Sequence, residues 1–423
     1  MSAVSQPTPT VQAPPKYSRR FVVTLVFVLG ALTALGPLAS DLYLPAFPEI
    51  ASQLGSTESR IQLTMTSMML GLAIGQAILG PLSDRYGRRN PLLISGTIFT
   101  LVSLACAMAP TADILLILRF VQGLAGAAGM VIARAVIRDF FEGDDIARFI
   151  SKMLLVTMLA PLLGPILGAQ LLELGSWRFI FIFLTVASAL TMIFLFFMLP
   201  ESLPKSDRRD FNIGEFGRTV GRLLTDKAFM APVLAVGLIF ATMFTYISGF
   251  SFVSQTTYGA TPQTFSLVFA ITTVSLVVGN QLNSLMIRFM PASKRLAIGA
   301  SISIAGAVVL FAMHPLGVDT LWSLTAVLAV IMFGNGLVFP NAGSMAMTSQ
   351  PSPIAGTASA IMGCFQMAMG GSLAALASLT PSGEITISSM TTVMLGLAVG
   401  ALIAVLVTVR IYRVREKNQA LAA

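Results

Sequence analysis

Gly80-Pro81-Leu82-Ser83-Asp84-Arg85-Tyr86-Gly87-Arg88-Arg89 is a charged stretch set between two apolar runs, near 61–82 and 91–110. A membrane-crossing helix needs roughly 20 mostly apolar residues to cover about 30 Å of hydrocarbon. Each run is therefore read as one crossing, with the stretch as the tight turn joining them. Gly87 suits the turn, and the basic residues hold it on the cytoplasmic side. Asp84, at the end of the second span, needs a cationic partner, because an unpaired carboxylate near lipid is costly. Arg134 and Arg138, at the same end of the fourth span, are the candidates. The start of the eleventh span after Pro353 could add the positive end of a helix dipole.

The same pattern runs through the chain. Of 423 residues, 55% are hydrophobic and only 10% charged, whereas a soluble domain carries about 25% charged residues. Lipid must replace water over most of such a surface. Spans are predicted near 21–46, 61–82, 91–110, 114–136, 150–172 and 178–199, then near 229–253, 264–287, 295–314, 320–341, 354–378 and 387–410. Helices satisfy their own backbone hydrogen bonds, as the bilayer interior demands. The expected fold is an all-α membrane protein of twelve transmembrane helices in two six-helix halves, 21–199 and 229–410. Residues 1–20, rich in Pro, Ser, Thr and Gln, read as a disordered cytoplasmic tail. Lys16, Arg19 and Arg20 before an apolar run also suit a signal peptide, but the run is too long and eleven spans follow.

Charge orients the chain. With the termini inside, 22 of the 26 Lys and Arg residues fall at or near the cytoplasmic side. Arg60 and Arg178 fall outside, and Arg119 and Arg134 within a span. That bias, rather than nucleic-acid binding, accounts for the net charge of +8. Trp177 and Trp322 are expected in an interfacial belt at the outer ends of spans. The cytoplasmic loop 200–228 contains Phe211, Ile213, Phe216, Val220, Leu223 and Leu224, spaced approximately as on a surface helix; a plain linker is the alternative. Residues 411–423 read as a cytoplasmic tail. The halves echo each other: Gly123-Leu124 through Gly129 in span four resembles Gly336-Leu337 through Gly343 in span ten. Small residues recur in span five (Ala160, Gly164, Gly168) and span eleven (Gly356, Ala360, Cys364, Ala368), a spacing that lets backbones approach. Matching halves imply a cavity at their interface.

Asp41 is the acidic residue clearly away from a helix end within a span, and Arg119 is an arginine inside span four. An arginine there costs roughly 2.5–3.5 kcal/mol on insertion scales, so a partner or cavity is expected. Both residues sit roughly 9 Å below the outer boundary, counted at 1.5 Å per residue, and are expected to pair across the cavity. Desolvation favours the protonated form of a membrane carboxylate and a neighbouring arginine favours the charged one. Such a balance suits a proton switch; a static ion pair that stabilises packing is the other reading.

Three segments resemble the major facilitator superfamily. Gly80 to Arg89 resembles its loop-2/3 signature, G-x-L-a-D-r-x-G-r-R, and the resemblance extends over 21–415. It implies that Asp84, Gly87 and Arg88 form a gating latch that holds the halves together in the outward-open state, with Gly80 allowing close helix contact. Leu38-Ala39-Ser40-Asp41-Leu42-Tyr43-Leu44-Pro45-Ala46-Phe47-Pro48 resembles the D-x-Y-L-P-A-x-P segment of bicyclomycin-resistance and chloramphenicol-efflux exporters. Arg119, in Leu118-Arg119-Phe120-Val121-Gln122-Gly123, matches the family arginine associated with proton coupling. Ala160-Pro161-Leu162-Leu163-Gly164-Pro165-Ile166-Leu167-Gly168-Ala169 is similar to the antiporter motif g-x-x-x-G-P-x-x-G-G, with alanine at two of its glycines. Its prolines should bend the helix.

Tyr43, Gln122, Tyr246, Asn335 and Gln366 are candidates for the cavity wall. Asn280, Gln281 and Asn283 could line the pathway or bond helix to helix. The 28 Phe and 23 Met suit a tolerant apolar surface, or only lipid contact and packing. No glycine precedes a lysine, which excludes a Walker A loop, and His314 alone cannot build an H-E-x-x-H site. Cys106 and Cys364 supply neither a disulfide framework nor a metal cluster. No enzyme, cofactor or metal site is read. The expected function is proton-driven export of small hydrophobic, drug-like compounds by a monomer in the bacterial inner membrane. The alternatives are a proton-linked importer or facilitator of a small metabolite, and a receptor built on a transporter fold.

Overall fold

The computed structural model describes residues 18–141, 144–208, 213–351 and 354–422. Most of the proposed N-terminal tail and Phe211 of the central loop lie outside them. The described chain forms helices and turns without a strand. Ser18 caps α1 (Arg19–Asp41), its hydroxyl accepting from Phe21 N at 3.2 Å. The first predicted span then breaks after Asp41. A 3-10 turn at Leu44–Ala46 and a short α2 (Phe47–Gln53) carry the chain onward, with Pro45 and Pro48 at first-turn positions where proline's missing N–H is harmless.

The remaining helices are α3 (Glu58–Tyr86), α4 (Arg89–Ala107), α5 (Ala112–Phe140), α6 (Asp144–Leu172), α7 (Arg178–Met198), α8 (Ile213–Thr225) and α9 (Lys227–Phe252). They continue as α10 (Pro262–Met286), α11 (Ala292–Met313), α12 (Leu321–Thr348), α13 (Ala355–Ala374) and α14 (Ile387–Ala422). Eleven described helices are long and apolar enough to cross a membrane, and α6 adds an apolar stretch at Leu159–Leu172. This is a multi-pass membrane protein. The expected cytoplasmic tail, 411–423, is helical as far as Ala422, in continuation of α14.

Helices α1 and α3–α7 pack among themselves, as do α9–α14, and the two groups meet chiefly along α3 with α13 and α6 with α10. Within the first group α3 and α5 nearly touch backbones: a Cβ on Gly71 or Gly123 would lie 2.2 Å from Phe120 O or 2.1 Å from Met68 O. Gly336 meets Leu276 of α10 in the same way, at 2.3 Å, and so does the work of Gly123, whereas Gly343 has open space where its echo Gly129 meets Leu32 O at 2.3 Å. Gly80, expected to serve close contact, would place a Cβ at an ordinary 3.4 Å from Val131. On α13 the approach falls on Gly363 and Gly371, against Gln76 and Met69, whereas Gly356 has open space around it. The turn of α13 toward α3 selects that face, one position off the small-residue stripe.

Trp322 is exposed, but Trp177 is fully buried, its Nε1 donating to Gln53 at 3.0 Å; packing under α2 replaces the expected interfacial role. In the central loop, Leu223 of α8 is buried against Phe229, Val233 and Ala358. Asp226 caps α9 and accepts from Gln350 at 2.6 Å, so α8 is anchored to the second group.

Hydrogen bonds between the two groups cluster, among the described residues, on the face opposite the termini. Gln62 donates to Ser248 at 2.8 Å, Ser251 to Leu44 O at 2.5 Å and Ser266 to Pro165 O at 2.7 Å. Ile385 N donates to Glu58 at 2.8 Å. That face is clamped shut.

Candidate functional site

A cavity of about 210 Å³ lies between the two groups. Pro37, Ser40 and Asp41 of α1, Met69 and Leu72 of α3 and Pro161 of α6 form one wall. Phe240, Phe244 and Tyr246 of α9, Phe269 of α10, Met332 of α12 and Met367 of α13 form the other. Asp41 is the charged residue in this lining, and the rest is overwhelmingly apolar and rich in Met and Phe. Flexible thioethers and aromatic rings accept varied apolar shapes.

Asp41 is placed by a break and by two glycines. It is the last residue of α1, is 5% exposed, and faces Gly164 of α6, where an added Cβ would lie 2.9 Å from its own Cβ. One turn on, a Cβ on Gly168 would lie 1.9 Å from Leu42 O. The antiporter-like stretch Ala160, Pro161, Gly164, Pro165 and Gly168 thus lets α6 lie directly on the broken end of α1. Pro165 O accepts from the Ser266 hydroxyl of the opposite group at 2.7 Å.

Arg119 does not form the expected ion pair with Asp41. Fully buried, it donates from one terminal nitrogen to Gln122 Oε1 at 2.6 Å and from the other to Ala39 O at 3.0 Å. Its guanidinium lies 4.2 Å from the centroid of the Tyr43 ring. A planar cation satisfied by an amide, a carbonyl and a ring face needs no carboxylate in contact. Its Nε remains unpartnered, one donor still free. Arg119 is therefore tied to the α1 backbone two residues from Asp41.

Of the five expected wall residues, Tyr246 lines the cavity, with its hydroxyl on Thr272 at 2.8 Å. Tyr43 and Gln122 are enclosed in the Arg119 network: Tyr43 pairs with Thr64 at 2.6 Å and Gln122 donates to Ser103 at 2.7 Å. Asn335 is buried against Ser303 at 2.8 Å, binding α12 to α11, and Gln366 is not in the described lining. For Tyr43, Gln122 and Asn335 the cause is shared. Polar side chains inside a helix bundle find each other before they find a cavity. What lines the wall instead, Met69, Phe240, Phe244 and Met367, is apolar and was not separable from packing residues by sequence.

The latch residues form a network at the face bearing the termini. Arg88, only 7% exposed, donates to Asp84 at 2.5 Å, to Asp139 at 3.1 Å and to Ser83 at 2.8 Å. The cation that Asp84 needs is therefore Arg88, four residues on, and not Arg134 or Arg138, which are both exposed. Gly87 has φ 91°, a left-handed conformation, and a side chain there would strike Glu201. Glu201 was missed by sequence reading. Its carboxylate accepts from Arg88 N at 2.7 Å and Arg89 N at 3.4 Å, closing the uncapped start of α4. Its position just beyond an apolar span, two residues past Leu199, was the available signal.

Residues 29–375 match the family model described as Major Facilitator Superfamily. The chain belongs to that superfamily. It is 37% identical over 350 residues to "Uncharacterized MFS-type transporter YdgK" of Bacillus subtilis (strain 168), covering 82% of this chain and 87% of the relative. It is 30% identical over 357 residues to "Bicyclomycin resistance protein homolog" of Haemophilus influenzae, covering 84% and 89%. The solved structure of a D-xylose-proton symporter superposes with a TM-score of 0.68 at 18% identity, covering 91% of this chain and 97% of that one, which shows the shared fold. The resemblance to bicyclomycin-resistance exporters is thereby borne out, and this facilitator-family chain is a transporter rather than an enzyme.

Proposed function

We propose that this transporter exports small hydrophobic or drug-like compounds in exchange for protons, as a monomer in the bacterial inner membrane with both termini in the cytoplasm. The observation that carries the reading is Asp41, a carboxylate set in the wall of an otherwise apolar cavity between the two groups of helices. Protonation turns a charged wall into a neutral one, so proton and substrate can compete for the same place. Arg119, on the carbonyl of Ala39, favours return of the charge once the proton leaves. The bicyclomycin-resistance relative supports a drug-like cargo. Orientation follows from the excess of Lys and Arg at the face of the termini. The clamp at the opposite face then corresponds to a state closed to the outside, and Asp84, with a half-exposed side chain, to a latch disengaged from the second group.

An inward proton releases about 2.3 kcal/mol per 100 mV, enough for a neutral compound gradient of roughly fiftyfold. Inverted vesicles holding a pH gradient test the scheme with amphenicols, bicyclomycin and lipophilic cations as a panel. Substrate-dependent proton release that disappears in Asp41→Asn is expected. Undiminished release in that variant refutes the proposal.

A further inference from the structure

The connection between α10 and α11 repeats the one between α3 and α4 with the counter-charges missing. Gly279 and Asn283 stand at the spacing of Gly80 and Asp84. The buried arginine here is Arg295, 7% exposed. It donates to Asn283 Oδ1 at 2.8 Å and Asn283 O at 3.3 Å, and Asn283 Oδ1 also accepts from Asn341 at 2.6 Å. Where Arg88 meets Asp84 and Asp139, Arg295 meets only neutral groups, and its Nε is buried without a partner. Arg288 and Lys294, on the same connection, enter no ion pair among the described residues. No Asp or Glu occurs anywhere from Pro262 to Val318, so the three cations have no acidic neighbour on their own elements.

Two further features point to what supplies the missing charge. The helix α11 begins at Ala292 with no side-chain cap, leaving backbone N–H groups and the positive end of its dipole beside Lys294 and Arg295. Leu285, Ile287 and Phe289 project from the same connection, Phe289 at 82% exposure. Apolar side chains at the end of a membrane helix beside unpaired cations match a phospholipid, with its acyl chains next to a phosphate.

We propose that this connection binds the phosphate headgroup of an anionic phospholipid in the leaflet on the side of the termini. The phosphate is the counter-ion that Asp84 and Asp139 provide in the first half. Each basic side chain near an anionic surface strengthens binding roughly fivefold, so three together favour an anionic over a zwitterionic lipid by roughly a hundredfold. The assignment is independent of proton exchange and of cargo.

The test is native mass spectrometry of the full chain, released from micelles containing equal phosphatidylglycerol and phosphatidylcholine. Wild type should retain phosphatidylglycerol selectively. The double variant Arg288→Gln/Lys294→Gln, which alters exposed side chains only, should lose at least tenfold of that preference. Asn283→Asp should lose it as well, by giving Arg295 its own carboxylate while keeping both hydrogen bonds that the asparagine oxygen accepts. No selectivity in wild type, or undiminished selectivity in either variant, overturns the proposal. Displacement of the lipid by excess inorganic phosphate also overturns it, since the site would then be a general anion site.

Discussion

Gly371→Ala should open the clamped face of the transporter. Gly371 lies on α13 where it crosses α3, and an added Cβ would be 2.8 Å from Met69 Cβ and 3.2 Å from Thr66 O. The same seam holds the bond from Thr66 Oγ1 to Gly371 O at 3.0 Å. A methyl group forced into a packed contact of this kind costs about 1–3 kcal/mol. The penalty applies only while α3 and α13 are pressed together at this level. A conformation that parts them relieves it, so the equilibrium should shift toward the parted state by about 5- to 150-fold. Spin labels on Ser52 and Ser382, both exposed on the clamped face, would report the shift by pulsed electron resonance. Cys106 and Cys364 are first replaced by serine so that only the introduced cysteines carry label. A longer-distance population that grows in Gly371→Ala is expected. An unchanged distance distribution in a folded variant would show that this seam does not move during opening.

Arg119→Lys should abolish coupled transport and lower thermal stability, because an ammonium cannot hold Gln122, Ala39 O and the Tyr43 face together; a transport assay in proteoliposomes checks it. Gly168→Ala should displace the end of α1 that carries Asp41 at a cost of about 1–3 kcal/mol, read as reduced export with a lowered melting temperature. Glu201→Gln should slow turnover more than ligand affinity, because it weakens the cap on α4 and the pairing with Arg208 at 3.7 Å far from the cavity. Outside the membrane, His314 and then Tyr258 hold the Asp319 carboxyl below its ordinary value of 3.8. A lowered folded-state value gives stability that is present above pH 3.8 and is lost as pH falls through the lowered value. Melting curves of Asp319→Asn should therefore fall less steeply than those of wild type as pH drops below 4.

The crossings were legible because their signal is redundant: some 20 apolar residues in a row overrule any single position. The loop between α3 and α4 was legible too, since Gly87 and its neighbours form a dense local pattern. Pairings were not. Asp84 and Arg88 are neighbours in sequence, and one helical turn with a left-handed glycine brings the two together, whereas the charge pattern alone points across the bundle to Arg134 and Arg138. Arg119 illustrates the converse. Depth matching placed it level with Asp41 correctly enough to suggest contact, but rotation about the helix axis sent it to Gln122 and the Tyr43 ring. Sequence fixes depth to within a residue or two and leaves rotation to packing.

The two groups of helices divide labour by charge. The first carries Asp41, Arg119 and the Asp84–Arg88–Asp139 network, whereas the second answers with Phe240, Phe244, Phe269 and Met332 at the cavity and with asparagines around Arg295. An apolar wall has no strong preference for either charge state of Asp41 except through dielectric: the closer it packs, the more it favours the neutral acid. Closing the second group onto the first without cargo should therefore require a proton, and closing it over a bulky apolar cargo should do so less, because the cargo holds the wall away. On this scheme coupling resides in how tightly Phe240 and Phe244 approach Asp41, so Phe240→Ala should leave binding of large compounds intact while loosening the ratio of protons to cargo. A ratio unchanged in that variant, measured as proton release per compound moved, would place coupling wholly within the first group.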